Sequence, residues 1–295
     1  SCGGTSLTVE NWATATLYTY TPYQPNAASL AAGSGTGDGC STYGNRNFYL
    51  YYTNWFGSTQ SNVVTSVNSI PHVLGVDSTG ALVAYPGDGK GSWRNPVQIG
   101  YGWNSFKFIV GVGDLSGDGS GDVVAVDQAG TATLYRTDGQ LGWLGSEPIA
   151  TGWENKTAVF SPGDFDSDGI PDIFTRDPDG TLWLHPGSPR GGLLAPRAVG
   201  SGWQSMTALV GMRDFNGDGR ADVSARDAAG LLWLYPGNGS GGWLTPRQIG
   251  WGWGSLNSLL TPGDFNGDGF DDVMARDAQG REVWKADPNA SVWIG

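Results

Sequence analysis

The pair Gly-Trp occurs at 102–103, 152–153, 202–203 and 252–253, fifty residues apart each time. An interval this regular marks a repeat in which each unit buries its faces against its neighbours. Other markers keep the same frame. Asp77, Asp127, Asp177, Asp227 and Asp277 are each followed three residues later by a glycine: Gly80, Gly130, Gly180, Gly230 and Gly280. Acidic loops begin at Asp114, Asp164, Asp214 and Asp264. Unit 51–100 is a fifth copy whose loop has decayed, with Val64, Ser66, Asn68 and His72 at the acidic positions.

Each unit reads as four short strands with no competing helical period. In the clearest copy, MTALVGM at 206–212 is the first strand and DVSARD at 222–227 the second. A tight turn at Gly230 leads to LLWLY at 231–235, and a Pro-Gly-rich loop leads to WLTPRQIG, which supplies the fourth. Four antiparallel strands per unit, repeated about five times, predict an all-β five-bladed propeller. The last unit lacks its fourth strand. Residues 47–55, NFYLYYTNW, stand in the frame of a fourth strand. They are expected to pair with the last third strand and close the ring, so that no sheet edge stays open at the seam. The domain reading is a cap over 1–46 and a propeller over 47–295. A degenerate sixth blade in 1–46 is the alternative, but that segment lacks all three markers.

The acidic loops have the chemistry of a hard-cation cage. In DFNGDGRAD, oxygen donors stand at positions 1, 3, 5 and 9, position 7 offers its carbonyl, and a glycine at position 6 permits the turn. That spread of oxygens suits Ca²⁺ better than Mg²⁺. The candidate ligand sets are Asp114, Ser116, Asp118, Ser120 and Asp122; Asp164, Asp166, Asp168, Ile170 and Asp172; Asp214, Asn216, Asp218, Arg220 and Asp222; and Asp264, Asn266, Asp268, Phe270 and Asp272. The plain alternative is an Asp-Gly turn without metal. Four in-frame copies argue against it, because clustered like charges need a counter-ion. The loop resembles the FG-GAP or VCBS repeats of integrin-like and bacterial propellers, which carry Asp-x-Asx-x-Asp-Gly-x-x-Asp between the first two strands. With so many ligands from the loop itself, the expected role of about four Ca²⁺ ions is structural.

A second recurring element is aromatic. Trp93, Trp143, Trp243 and Trp293 follow Gly-rich loops, with Leu193 breaking the series, and Trp103, Trp153, Trp203 and Trp253 recur without a break. Stretches such as GGWLTPRQIGWGWGSLNS resemble the repeat of the tachylectin propeller lectins. That resemblance covers about twenty residues per unit. It implies a multivalent lectin for glycans containing N-acetylglucosamine or N-acetylgalactosamine, bound between blades. An aromatic face can stack on a sugar or its N-acetyl methyl. The first tryptophan set is expected to be exposed and to touch ligand. For the second set, inter-blade packing competes with ligand contact. Trp183 and Trp233 are expected to pack in the core or between blades.

The remaining features bound the function. The net charge of −12 disfavours nucleic acid and anionic membranes as partners. No apolar run approaches a membrane span. Cys2 and Cys40, the two cysteines of the chain, are compatible with one disulfide in an oxidising compartment or with two free thiols. Residues 1–58 resemble the tail of secreted actinobacterial peptidoglycan-hydrolase-like proteins, which implies a secreted protein. No nucleophile-base or paired-carboxylate arrangement stands out among His72, His185 and the four glutamates, so the reading is of a non-enzyme. A protein-binding scaffold in a secreted complex is the main alternative, and a glycan-cleaving propeller the weakest.

Overall fold

The computed structural model describes residues 49–51, 63–67, 70–267, 271–277 and 281–285. The expected cap, Cys2, Cys40, Trp293 and the loop residues Asp268 and Phe270 lie outside this set. The described strands form antiparallel four-stranded sheets in the order of the repeat. The first is β2 (Val63–Val67), β3 (Ile70–Val76), β4 (Leu82–Pro86) and β5 (Val97–Gly100). The second is β6 (Phe106–Gly113), β7 (Asp122–Asp127), β8 (Ala132–Thr137) and β9 (Trp143–Ala150). The third is β10 (Ala158–Gly163), β11 (Asp172–Arg176), β12 (Leu182–His185) and β13 (Arg197–Gly200). The fourth is β14 (Met206–Met212), β15 (Asp222–Asp227), β16 (Leu232–Pro236) and β17 (Arg247–Gly250).

Four blades are thus each complete within one stretch of chain. The remaining sheet is composite. It contains β18 (Leu256–Gly263), β19 (Asp272–Asp277) and β20 (Arg281–Lys285), and its outer strand is β1 (Tyr49–Tyr51), paired antiparallel with Tyr49 opposite Val283. The first strands of the blades lie side by side in chain order, and β18 also lies against β2 and β3.

The core sits between blades rather than within one. Leu74, Leu82 and Ala84 of the first blade pack on Trp103, Ile109 and Val123 of the second, and equivalent clusters fill the next three spaces. Second and third strands are buried on both faces, so β7 reads DVVAVD with almost no polar alternation. Fourth strands are exposed edges, and Pro96, Pro196 and Pro246 sit just before or at their starts. A proline there denies a donor to any strand that would add to the edge.

One expectation is corrected in the first blade. Val64 and Ser66 do not form a decayed loop; they lie within β2, which pairs directly with β3, Val67 opposite Ile70. Without the carboxylates, the β-branched run VVTSV continues as a strand where the other blades turn. The fourth strands are also shorter than expected. In three blades the tryptophan or leucine that begins them makes only an isolated bridge, at Gly87–Trp93, Gly187–Leu193 and Gly237–Trp243.

Candidate functional site

Antiparallel order puts the first-to-second and third-to-fourth connections at one end of a blade. The Asp-x-x-Gly turns and the Gly-Trp connections fall at the other. The two ends have different chemistry.

At the first end are the acidic loops. The position 1 carboxylate is held by its own loop: Asp164 accepts the N–H groups of Asp168 at 3.0 Å and Gly169 at 2.9 Å. Asp214 does the same with Asp218 and Gly219, at 2.8 and 2.7 Å. Position 5 turns toward position 7, as in Asp218 accepting from the Arg220 N–H at 3.0 Å. Position 9 enters from below, at the start of the second strand. Asp122, Asp172 and Asp222 are fully buried. Asp172 accepts N–H groups from Phe165, Asp166 and Gly187, at 2.9, 3.2 and 2.9 Å. Burial pushes the Asp122 and Asp172 carboxyls up to about 6. It pushes Asp222 up to about 7, with the charges of Asp218 and Asp214 adding to it.

These residues fit a hard cation. Oxygens of Asp164, Asp166 and Asp172 lie within 4.8 Å of one another. Buried oxygens of Asp122 and Asp166 (Oδ1 in both) have no hydrogen-bond partner. Carboxylates kept in such surroundings are stabilised by positive charge. Every side-chain donor is an oxygen, the class that Ca²⁺ and Mg²⁺ take.

The tryptophans are placed differently from the sequence expectation. Trp93 is only 4% exposed and lies 4.5 Å from Phe265, centroid to centroid. Trp143 and Trp243 are half-buried, and each donates its indole N–H to a carbonyl of the preceding blade, Ile99 at 2.7 Å and Val199 at 2.8 Å. Trp143 stacks on Trp103 at 5.3 Å, and Trp243 packs on Trp203 at 5.4 Å. The expected exposure is therefore corrected for Trp93, Trp143 and Trp243: the Gly-rich loop folds each ring inward to seal the space between blades. Trp103, Trp153, Trp203 and Trp253 are all buried, which is the packing alternative. Trp183 and Trp233 brace the turns, each donating its indole N–H to the turn carboxylate, Asp177 at 2.7 Å and Asp227 at 2.9 Å.

At the second end, different aromatics face solvent. Tyr101 is 84% exposed and Trp251 57%. They occupy one frame position, where the other units have Thr151 and Ser201. Each precedes a glycine in the left-handed region, Gly102 at φ 74° and Gly252 at φ 80°. Each follows a glutamine, Gln98 or Gln248, whose amide donates to the carbonyl of Gly100 or Gly250 at 3.3 Å. Sequence reasoning passed over this pair because it attended to tryptophans that recur in four units, and only two units carry an aromatic here. In a repeat, the shared aromatic is the one that packs.

Comparison with known proteins agrees with the loop geometry. FG-GAP-like repeats match at residues 114–175, 164–225 and 214–275. The chain belongs to the FG-GAP-like repeat family. Its three overlapping matches each run from one acidic loop into the second strand of the following blade. The family chain is similar to two kinds of solved structure. One is the BP39L lectin from Burkholderia pseudomallei, at 21% identity and a TM-score of 0.45, over 80% of this chain and 68% of that one. The other is BBS1N in complex with ARL6DN, at 10% identity and a TM-score of 0.38, over 77% of this chain and 64% of that one. No curated protein matches the sequence. Among the described residues, no helix is long and apolar enough to cross a membrane.

Proposed function

We propose that this FG-GAP-like repeat chain is a secreted, multivalent carbohydrate-binding propeller, with five blades in a closed ring and structural Ca²⁺ in its four acidic loops. The observation that carries the reading is the pair Tyr101 and Trp251. Both are exposed, both sit at the same position of equivalent connections between a fourth strand and the next blade, and both have a glutamine amide beside them. A flat ring with adjacent amide and backbone groups suits the apolar face and the N-acetyl group of a hexosamine. One such contact is weak, and two on one rigid body gain by avidity on a dense glycan surface. Ring closure is supported by β18 lying against β2 and by Gly91 donating its N–H to the Phe265 carbonyl at 2.9 Å. The Ca²⁺ would neutralise the buried position 9 carboxylates and pin the first strand to the second. It would take no part in binding sugar. The chain's own residues orient the ligand, and no bond-breaking role is assigned to any of them.

A glycan array probed with wild type and with Tyr101→Ala/Trp251→Ala tests this reading. Binding to N-acetylhexosamine polymers that falls at least tenfold in the double variant is the expected result. No glycan binding at high protein density would remove the lectin reading, and release of reducing sugar would remove the non-enzyme reading. One observation favours the scaffold alternative: Leu144, Leu194 and Leu244 are exposed at one frame position on the outer rim. A partner held there would be lost in the triple Leu→Ser variant, with glycan binding untouched.

A further inference from the structure

The four acidic loops do not carry equal charge. Those at 114–122 and 214–222 have three carboxylates, at positions 1, 5 and 9. The loop at 164–172 adds Asp166 at position 3, and the loop at 264–272 adds Asp271 at position 8. Each surplus carboxylate meets an arginine from outside its loop.

Arg197, which begins β13, has Nη2 3.2 Å from Oδ2 of Asp166. Room for the guanidinium comes from the next blade, where a Cβ on Gly241 would collide with it. Arg213, just after β14, donates from Nη2 to Oδ1 of Asp271 at 2.7 Å and from Nε to Oδ2 at 3.2 Å. Its backbone N–H reaches the same Oδ2 at 3.2 Å. This is the two-point grip that holds a carboxylate most firmly. Arg220, inside the 214–222 loop, makes no ion pair with a loop carboxylate among the described residues. An independent observation points to a cation in these loops. Asp166 Oδ1 is buried without a hydrogen-bond partner, in a loop where oxygens of Asp164, Asp166 and Asp172 lie within 4.8 Å of one another.

We propose that Arg197 and Arg213 set the cation affinity of the two loops with a surplus carboxylate, so that all four present the charge of three carboxylates. The inference rests on the Ca²⁺ reading given above. Affinity of an oxygen cage for Ca²⁺ rises with the number of charged ligands, of which Asp166 is one, and with negative charge beside the cage, as at Asp271. A guanidinium paired to the fourth carboxylate cancels that gain without entering the cage. Both arginines are positioning residues, since neither touches the ion. The result is a ring whose joints fill together, at one Ca²⁺ concentration, rather than one by one.

Calorimetric Ca²⁺ titration of the metal-stripped full chain tests this. The set comprises wild type, Arg197→Gln, Arg213→Gln, and the charge-restoring doubles Asp166→Asn/Arg197→Gln and Asp271→Asn/Arg213→Gln. Wild type is expected to show one class of sites. Each single variant should split off one site that binds roughly tenfold tighter, and each double should return it to the common class. A merely structural role for the arginines would not be rescued by the doubles. Unchanged or weaker binding in Arg197→Gln overturns the inference while leaving Ca²⁺ binding intact. Absence of Ca²⁺ binding in wild type overturns both. If Arg213→Gln does not fold, the Arg197 pair decides the matter alone.

Discussion

Ser167 is a serine in a backbone conformation that the other loops give to glycine. Its φ is 62°, and Gly117, Gly217 and Gly267 hold the same frame position at 77°, 80° and 81°. A left-handed residue with a Cβ costs about 1 kcal/mol. Ser167→Gly is therefore expected to raise the melting temperature slightly, by a net stabilisation of up to about 0.5 kcal/mol once the freer unfolded chain is counted. No change in a thermal melt would show that the serine repays its strain elsewhere. Among the described residues Leu141 is the other non-glycine at positive φ, at 71°, and there the side chain packs on the cluster around Trp103. His185 is a second single-residue case. It is buried against Trp153, and its Nε2 lies 2.9 Å from the Thr175 hydroxyl. Burial pushes its pKa down to about 4, and the charge of Lys156 adds to the effect. The unfolded chain takes up this proton near pH 6.5. Stability from the neutral imidazole is thus full above that pH and is lost as pH falls toward 4, at up to about 1.4 kcal/mol per pH unit. Asp122, Asp172 and Asp222 act in the opposite sense, because raised carboxyls bind protons in the folded state first. The readout is therefore the difference between wild type and His185→Gln in denaturant midpoints from pH 7 to pH 4. That difference should shrink as the pH falls, and a constant difference would contradict the assignment.

Between elements, the joints are made by backbone. The carbonyls of Gly80, Gly130, Gly180 and Gly230 each accept the N–H of the tryptophan that begins the next blade, at 3.0, 3.0, 3.1 and 2.9 Å. These glycines have positive φ, and a Cβ on any of them would strike the following blade. Asp-x-x-Gly and Gly-Trp are therefore two halves of one joint, which is why both keep the fifty-residue frame. The second clamp is an arginine. Arg176 donates from Nη1 to the carbonyls of Trp203 and Met206, at 2.9 and 2.8 Å, and Arg226 donates to those of Trp253 and Leu256. The second blade has Val126 at that position, and Lys107 reaches the carbonyls of Glu154 and Lys156 instead, at 2.7 and 2.9 Å. Arg226→Met is expected to cost about 2 kcal/mol and to speed hydrogen exchange at residues 253–256. Unaltered exchange there would mean that the clamp is not needed. The strands and the joints were legible because their residues repeat: Gly, Asp and Trp at fixed offsets. The arginine clamp was not, although Arg176, Arg226 and Arg276 repeat in frame: spacing does not tell which carbonyls a guanidinium reaches, and Lys107, at another frame position, shares with Arg176 only the carbonyl of Lys156 or Met206. The strand over Val63–Val67 was missed for a related reason. The frame carried a loop into that stretch although its carboxylates were gone.

At the scale of the whole molecule, the two ends divide the labour. One end holds the acidic loops and the other the exposed aromatics, so the proposed cation and sugar sites would share no groups. That loop carboxylates come together, as in Asp164, Asp166 and Asp172, was readable from spacing alone. The aromatic site was not, because burial is a property of the assembled blades: Trp93, Trp143 and Trp243 turn inward only when a neighbouring blade supplies the wall. The seam follows the same logic. The Trp143 and Trp243 N–H groups reach Ile99 and Val199, while Trp93 Nε1 is buried without a partner. In the repeat frame the missing carbonyl belongs to Tyr49, which β1 carries. Closure there predicts that deleting residues 47–55 destabilises the first blade as well as the last, as read by exchange at residues 93–100. The central claim is that sugar binds at the exposed connections. A crystal of the chain soaked with N-acetylglucosamine tests it most directly. The account predicts sugar density stacked on Tyr101 and Trp251, beside Gln98 and Gln248. Sugar bound only at the acidic loops or in the spaces around Trp143 and Trp243, or no sugar at saturating concentration, would contradict it.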